Sequence, residues 1–260
     1  MRISSFFVPF FSLLAGAAGF YLRLMERWDV FVYDGRFWIP ERNATVTILL
    51  IILTSVFLLL IAMFAISAAR KHKAPRGFEN AFGTDPISYP FMFTVIGLVW
   101  LSGTLMHFFN LRSTDSLQTI DIYFTVLSAL SAISVAFFAI EMYQDARRKS
   151  TFALSVVPTI FACFWLILIY QANASNPSLL DYCYQSLAII TTALAFYYTS
   201  GFLYGKPAPG FSIFTYYASI FFCFVTMADN HPVSIRIIFA SFIAINMIHS
   251  SMPLKNLRRK

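Results

Sequence analysis

The chain has 260 residues, of which 58% are hydrophobic and only 12% charged, with a mean hydropathy of +0.69. A water-soluble domain cannot cover its surface with so few charges, so the composition points to a polytopic membrane protein. The net charge of +7 does not point to nucleic acid, because the basic residues fall in short clusters between apolar runs and not along one soluble face.

A bilayer crossing takes about 20 mostly apolar residues. Segments near 6–24, 44–69, 90–110, 118–142, 152–172, 179–204, 210–228 and 233–252 qualify. The expected fold is all-α, a single integral-membrane bundle of about eight transmembrane helices. With the first segment entering from the cytoplasm, Arg2, the cluster Arg70 to Arg76, Arg147 to Lys149, Lys206 and Lys255 to Lys260 all fall inside, 13 of the 19 basic residues. The positive-inside rule therefore places both termini in the cytoplasm.

In chain order, the first segment resembles a signal peptide in its small-residue stretch Ala15-Gly-Ala-Ala-Gly19. The apolar run continues through Phe20-Tyr-Leu, which favours a retained span. Ser12, Gly16 and Gly19 then read as a close-packing face. An outer loop of about 25–43 follows, where Arg27, Arg36 and Arg42 are matched by Glu26, Asp29, Asp34 and Glu41. Its segment Val30 to Arg42 carries Asp34-Gly35, the dipeptide of a tight hairpin, between runs rich in aromatic residues. Trp28, Phe31, Tyr33, Phe37 and Trp38 are expected at the headgroup level, anchoring the loop or folding it over the mouth of the bundle.

The inner loop 70–89 is basic and rich in turn residues, a topogenic segment suited to contact with anionic lipid or a partner. Beyond it, the spans form helical hairpins starting near 90, 152 and 211. The stretch from Asp121, DIYFTVLSALSAISVAFF, aligns without a gap with that from Asp181, DYCYQSLAIITTALAFYY, which points to hairpin repeats. Ser128, Ala132 and Ala136 make a small-residue stripe on the fourth span. Pro158 is the one proline well inside a span, whereas Pro9 and Pro90 are expected in first turns. Glu141 is expected to reach Arg147, Arg148 and Lys149.

Ionisable residues within a span are the best sequence pointer to function in a membrane protein. Asp121 and Asp181 lie where a carboxylate caps a helix N-terminus. Arg236 lies inside the last span, free to snorkel outward or to pair with Asp121, Asp181 or Asp229. His107, Asp121, Asp181, Asp229, His231 and Arg236 are therefore the candidate residues of an outer polar vestibule. Paired metal-ligand spacing, catalytic motifs and phosphate-binding glycine loops are absent, and no lysine lies in a span. No metal or other cofactor is indicated. Cys163, Cys183 and Cys223 read as small buried hydrophobes, and the sequons at Asn43 and Asn173 as chance.

The expected function is a small-molecule permease or facilitator, or a membrane subunit of a transporter. The alternative is a non-enzymatic sensor, scaffold or accessory protein acting through partner contacts. The expected surroundings are the lipid bilayer of a cell membrane, by size and compactness a bacterial inner membrane. A membrane-protein partner or a second copy of the chain fits this setting, and the substrate is unspecified.

Overall fold

Backbone amides in hydrocarbon must be satisfied within their own segment, and long apolar runs do this as helices. In the computed structural model, which describes residues 2–33, 38–40, 45–73, 82, 88–143, 149–255 and 258–259, eight helices are long and apolar enough to cross a membrane. They are α1 (Arg2–Asp29), α2 (Thr45–Lys71), α3 (Ser88–Ser113), α4 (Thr119–Tyr143), α5 (Lys149–Asn173), α6 (Leu179–Leu203), α7 (Pro209–Thr226) and α8 (Val233–Lys255). The described residues also include two short ladders. Strand β1 (Phe31–Tyr33) pairs antiparallel with β2 (Trp38–Pro40), and β3 (His72–Lys73) with β4 (Arg258–Arg259). The Asn43 sequon, the Asp34-Gly35 tip, most of loop 70–89 and the side chains of Glu141, Arg147, Arg148 and Lys149 lie outside the described residues.

Helices α3 to α8 form a ring, each packed on the next, with α8 closing back on α3. α1 packs on α7 and α8, and α2 on α1 and α7, so α7 belongs both to the ring and to the appended pair. It is accordingly the most enclosed span, 72% buried, against 22% for α2. Gly16 and Gly19 make the α1–α7 contact close. A Cβ on Gly19 would lie 2.7 Å from the Val225 Cγ2, and one on Gly16 2.8 Å from the Phe224 ring. The stripe on α4 works the same way, with Gly97 of α3 set against the Ala132 carbonyl and the Ala136 methyl.

Aromatic rings from five helices fill the centre of the ring. Trp100 of α3 meets Phe161 of α5 at 5.7 Å and Phe242 of α8 at 4.9 Å between centroids. Phe124 of α4 and Phe239 of α8 flank Trp165 of α5 at 5.3 and 5.1 Å, and Phe196 of α6 meets Phe242 at 6.0 Å. The one polar atom of Trp100 is satisfied by the Ser128 hydroxyl at 2.9 Å, which also bonds Thr104 at 2.7 Å.

Helix ends follow local chemistry. α6 stops at Gly205, whose positive φ of 69° lets the Lys206 N–H bond the Gly201 carbonyl at 2.9 Å, the Schellman arrangement that a glycine accommodates without strain. Pro209 opens α7, where its missing N–H costs nothing. Two boundaries differ from the sequence reading. α1 continues to Asp29, because Met25, Glu26 and Arg27 are good helix formers whose charges find partners on other segments. Starting at Arg2, it also carries Pro9 two turns inside and not in its first turn.

Substituting Gly19 by leucine should separate α1 from α7. The expected result is a fall in the apparent melting temperature of the detergent-solubilised protein, corresponding to about 1–3 kcal/mol of overpacking. The same change at Gly205, with nothing within 4 Å, should act only through its backbone strain.

Candidate functional site

Arg23, Glu26 and Arg27 share one face of the last turns of α1, at the end of the bundle that the basic residues assign to the outside. Arg23 and Glu26 are fully buried and Asp229 is 3% exposed. Such charges persist only when paired, and each nitrogen of the Arg23 guanidinium has an acceptor. Its Nε donates to Asp229 Oδ1 at 2.7 Å, Nη1 to Glu26 Oε2 at 2.7 Å and Nη2 to the Asp181 carbonyl at 3.0 Å. It also lies over the rings of Phe31 and Tyr184, 5.3 and 5.0 Å from their centroids, contacts that add cation–π attraction.

The network extends from there. Glu26 Oε1 accepts the Thr47 hydroxyl of α2 at 2.5 Å. Arg27 donates to Asp181 Oδ1, approaches Asp229 Oδ1 at 3.7 Å and lies under Phe31 at 5.1 Å. Asp181 Oδ2 in turn accepts the Asn176 amide at 3.0 Å. Two arginines and three carboxylates thus join α1, α2, α6, the α7–α8 turn and the β1–β2 ladder, whose buried Phe31 roofs both guanidinium groups. The rest of β1 faces outward, as does Trp28, 77% exposed.

The α7–α8 turn supplies a second layer. The Asp229 N–H bonds the Thr226 carbonyl at 3.0 Å, and the Asp229 carbonyl accepts both the His231 N–H at 2.7 Å and Arg236 Nη2 at 3.1 Å. Asp229 Oδ2, His231 Nε2, Arg236 Nε and Thr226 Oγ1 are buried without a protein partner. Such atoms are places where water or a polar ligand group is held. Burial pushes the Asp229 carboxyl up, with Arg23 and Arg27 pulling it down. Burial first, and then Arg236, Arg27 and Arg23, push His231 down to about 4.

Of the six sequence candidates, Asp181, Asp229, His231 and Arg236 come together here. Arg236 bonds the backbone of Asp229 and not a carboxylate. His107 and Asp121 are placed elsewhere. The His107 ring lies edge-on to Phe124 at 5.5 Å, with Nδ1 3.4 Å from the Ser234 hydroxyl. Asp121 Oδ2 accepts the Gln118 N–H at 2.9 Å, a capping bond on its own helix. Between His107 and His231 runs a continuous aromatic series, Phe124, Trp165 and Phe239, with His231 5.8 Å from Phe239. Among the described residues, no three His, Cys, Asp or Glu side chains gather as metal ligands would.

Sequence reasoning missed Arg23, Glu26 and Arg27 as site residues, leaving Arg23 at the end of the first span and assigning Glu26 and Arg27 to charge balance in the outer loop. Their i, i+3, i+4 spacing directly after an apolar run was the available signal. It also passed over His249 near the inner end. That ring is buried, both nitrogens lack partners, and Phe93, Phe82 and Tyr216 surround it at 5.0, 5.8 and 5.9 Å. A cavity of about 20 Å³ beside His249 and Pro158 is of the size that holds one water.

Comparison with protein-family models, with curated proteins and with solved structures finds no match.

Replacing Arg23 by glutamine leaves buried carboxylates uncompensated and should cost about 3–5 kcal/mol, read as a large fall in thermal stability. Asp121→Asn, at a half-buried cap, should cost about 1 kcal/mol or less. His231 is depressed in the folded state, so its neutral form contributes stability that is complete above pH 6.5 and lost as pH falls toward about 4. His231→Gln should flatten that part of the melting temperature–pH profile.

Proposed function

We propose that the protein is a non-enzymatic membrane sensor or adaptor whose output passes through contacts with another membrane protein, and that the outer ionic network is its responsive element. The observation that carries this reading is the placement of Arg23. One guanidinium joins α1, α6 and the α7–α8 turn under the β1–β2 roof. A change in its pairing therefore alters how the α1–α2 pair sits on the ring.

A passive facilitator, the other expectation, needs a polar route along the bundle. The position where that route would pass is occupied by the packed rings of Trp100, Phe161, Trp165, Phe196, Phe239 and Phe242. Opening it would separate aromatic contacts worth about 0.5–1.5 kcal/mol each beyond their buried area. Among the described residues the buried Asp, Glu and Arg side chains lie at the outer end and none near the middle of the ring, where a charge would couple to ions or protons.

Two measurements test the proposal together. In reconstituted vesicles, small neutral solutes of glycerol size should cross no faster than in protein-free vesicles. In nanodiscs cut directly from native membranes, the protein should co-purify with one membrane partner at fixed stoichiometry, and Arg27→Ala should lower the amount recovered. A lone protein that speeds solute flux would overturn the reading.

A further inference from the structure

Three carboxylates stand in the outer network, and five of their six oxygens have donors. Glu26 Oε2 and Asp229 Oδ1 take Arg23, Glu26 Oε1 takes Thr47, and Asp181 Oδ1 and Oδ2 take Arg27 and Asn176. Asp229 Oδ2 is the open one, buried with no partner among the described residues. Two residues along the same turn, His231 Nε2 is buried and equally without a partner. A carboxylate acceptor and a nitrogen that can become its donor thus lie unused side by side in the sequence of one turn.

At neutral pH the His231 ring packs on Phe239, 5.8 Å between centroids. It carries no charge there, because burial first, and then Arg236, Arg27 and Arg23, push it down to about 4. Among the described residues, the titratable and charged groups around this turn are Arg23, Glu26 and Arg27 of α1, Asp181, Cys183 and Tyr184 of α6, Asp229 itself and Arg236 of α8. Protonation makes both imidazole nitrogens donors and sets a fourth cation among three guanidinium groups. A buried cation persists only when paired, and the open carboxylate oxygen is Asp229 Oδ2. Reaching it takes the ring off Phe239. It also redraws the turn, since the His231 N–H and Arg236 Nη2 both hold the Asp229 carbonyl, and it divides a carboxylate that Arg23 holds through Oδ1.

We infer that His231 is a proton-driven switch of partner: on acidification of the outer face its imidazolium pairs with Asp229 Oδ2, and the α7–α8 turn loosens its hold on the end of α1. The inference rests on the proposed reading of the outer network as the responsive element, and it names acid as the stimulus. Proton uptake by Asp229 would act with the opposite sign. Burial pushes that carboxyl up, so its protonation favours the closed arrangement.

The test measures amide hydrogen exchange of the full-length protein alone in nanodiscs at about pH 7.5 and about pH 5, each rate divided by the intrinsic rate at that pH. Residues 20–33 and 226–236 should lose protection at the lower pH by roughly ten-fold, within the range open to a histidine held from 6.5 down to about 4, while α3 stays protected. His231→Gln, neutral at both pH values, should abolish the response, and His231→Asn is a second neutral variant should the longer amide not be accommodated. His107→Gln should respond as the unmodified protein does. Equal protection of the unmodified protein at both pH values, a gain of protection in acid, a response that survives both neutral variants, or one lost in His107→Gln overturns the inference. No partner takes part in this measurement, so a failure to co-purify one bears on the proposed function alone.

Discussion

A guanidinium that water cannot reach must find every partner inside the protein, and this requirement governs the outer end of the molecule. The three nitrogens of Arg23 lie in a fixed plane, and the fold gives each an acceptor, from its own helix, from α6 and from the α7–α8 turn, while the rings of Phe31 and Tyr184 pack against the guanidinium. A shift of any one of these segments would leave a charge or a carbonyl buried and unpaired, which costs more than the pairing itself contributes. The network therefore acts less as a source of stability than as a constraint on register between α1 and the ring.

At the other levels the fold is conservative. Small residues bring α1 to α7 and α3 to α4, and aromatic residues fill the space left inside the ring. Asp121 and Asp181 occupy matching first turns of α4 and α6 but serve different purposes. Asp121 caps its own helix, whereas Asp181 faces Arg27. The same local position acquires a role only when a cation from another part of the chain is brought against it.

That contrast explains which parts were legible in the amino-acid sequence. Transmembrane helices are declared by local composition, because each segment must satisfy its own backbone in lipid. Eight spans were readable for that reason, and they match the observed helices closely. The end of α1 was not. Hydropathy falls where Arg23, Glu26 and Arg27 begin, and the helix continues because Arg23 pairs with Glu26 and both arginines meet the remote carboxylates of Asp229 and Asp181. His249 escaped notice for a related reason. A lone histidine among apolar residues carries no pattern, and its enclosure by Phe82, Phe93 and Tyr216 depends on helix packing that composition does not specify. Asp181, Asp229, His231 and Arg236 were found because they lie at span ends, where a charge stands out.

The position of α7 has a consequence for how the protein is assembled. Arg23 and Asp229 stand 206 residues apart in the chain, and the glycine face of α1 meets α7, the seventh span to be made. During synthesis α1 and α2 must wait in the membrane while most of the ring is produced. Through that interval the guanidinium already has Glu26, three residues away on the same helix, as a companion charge. The intrahelical pair gives the early segment a nearly neutral end that lipid tolerates, and completion of the outer network becomes a late event that reports the arrival of the last hairpin.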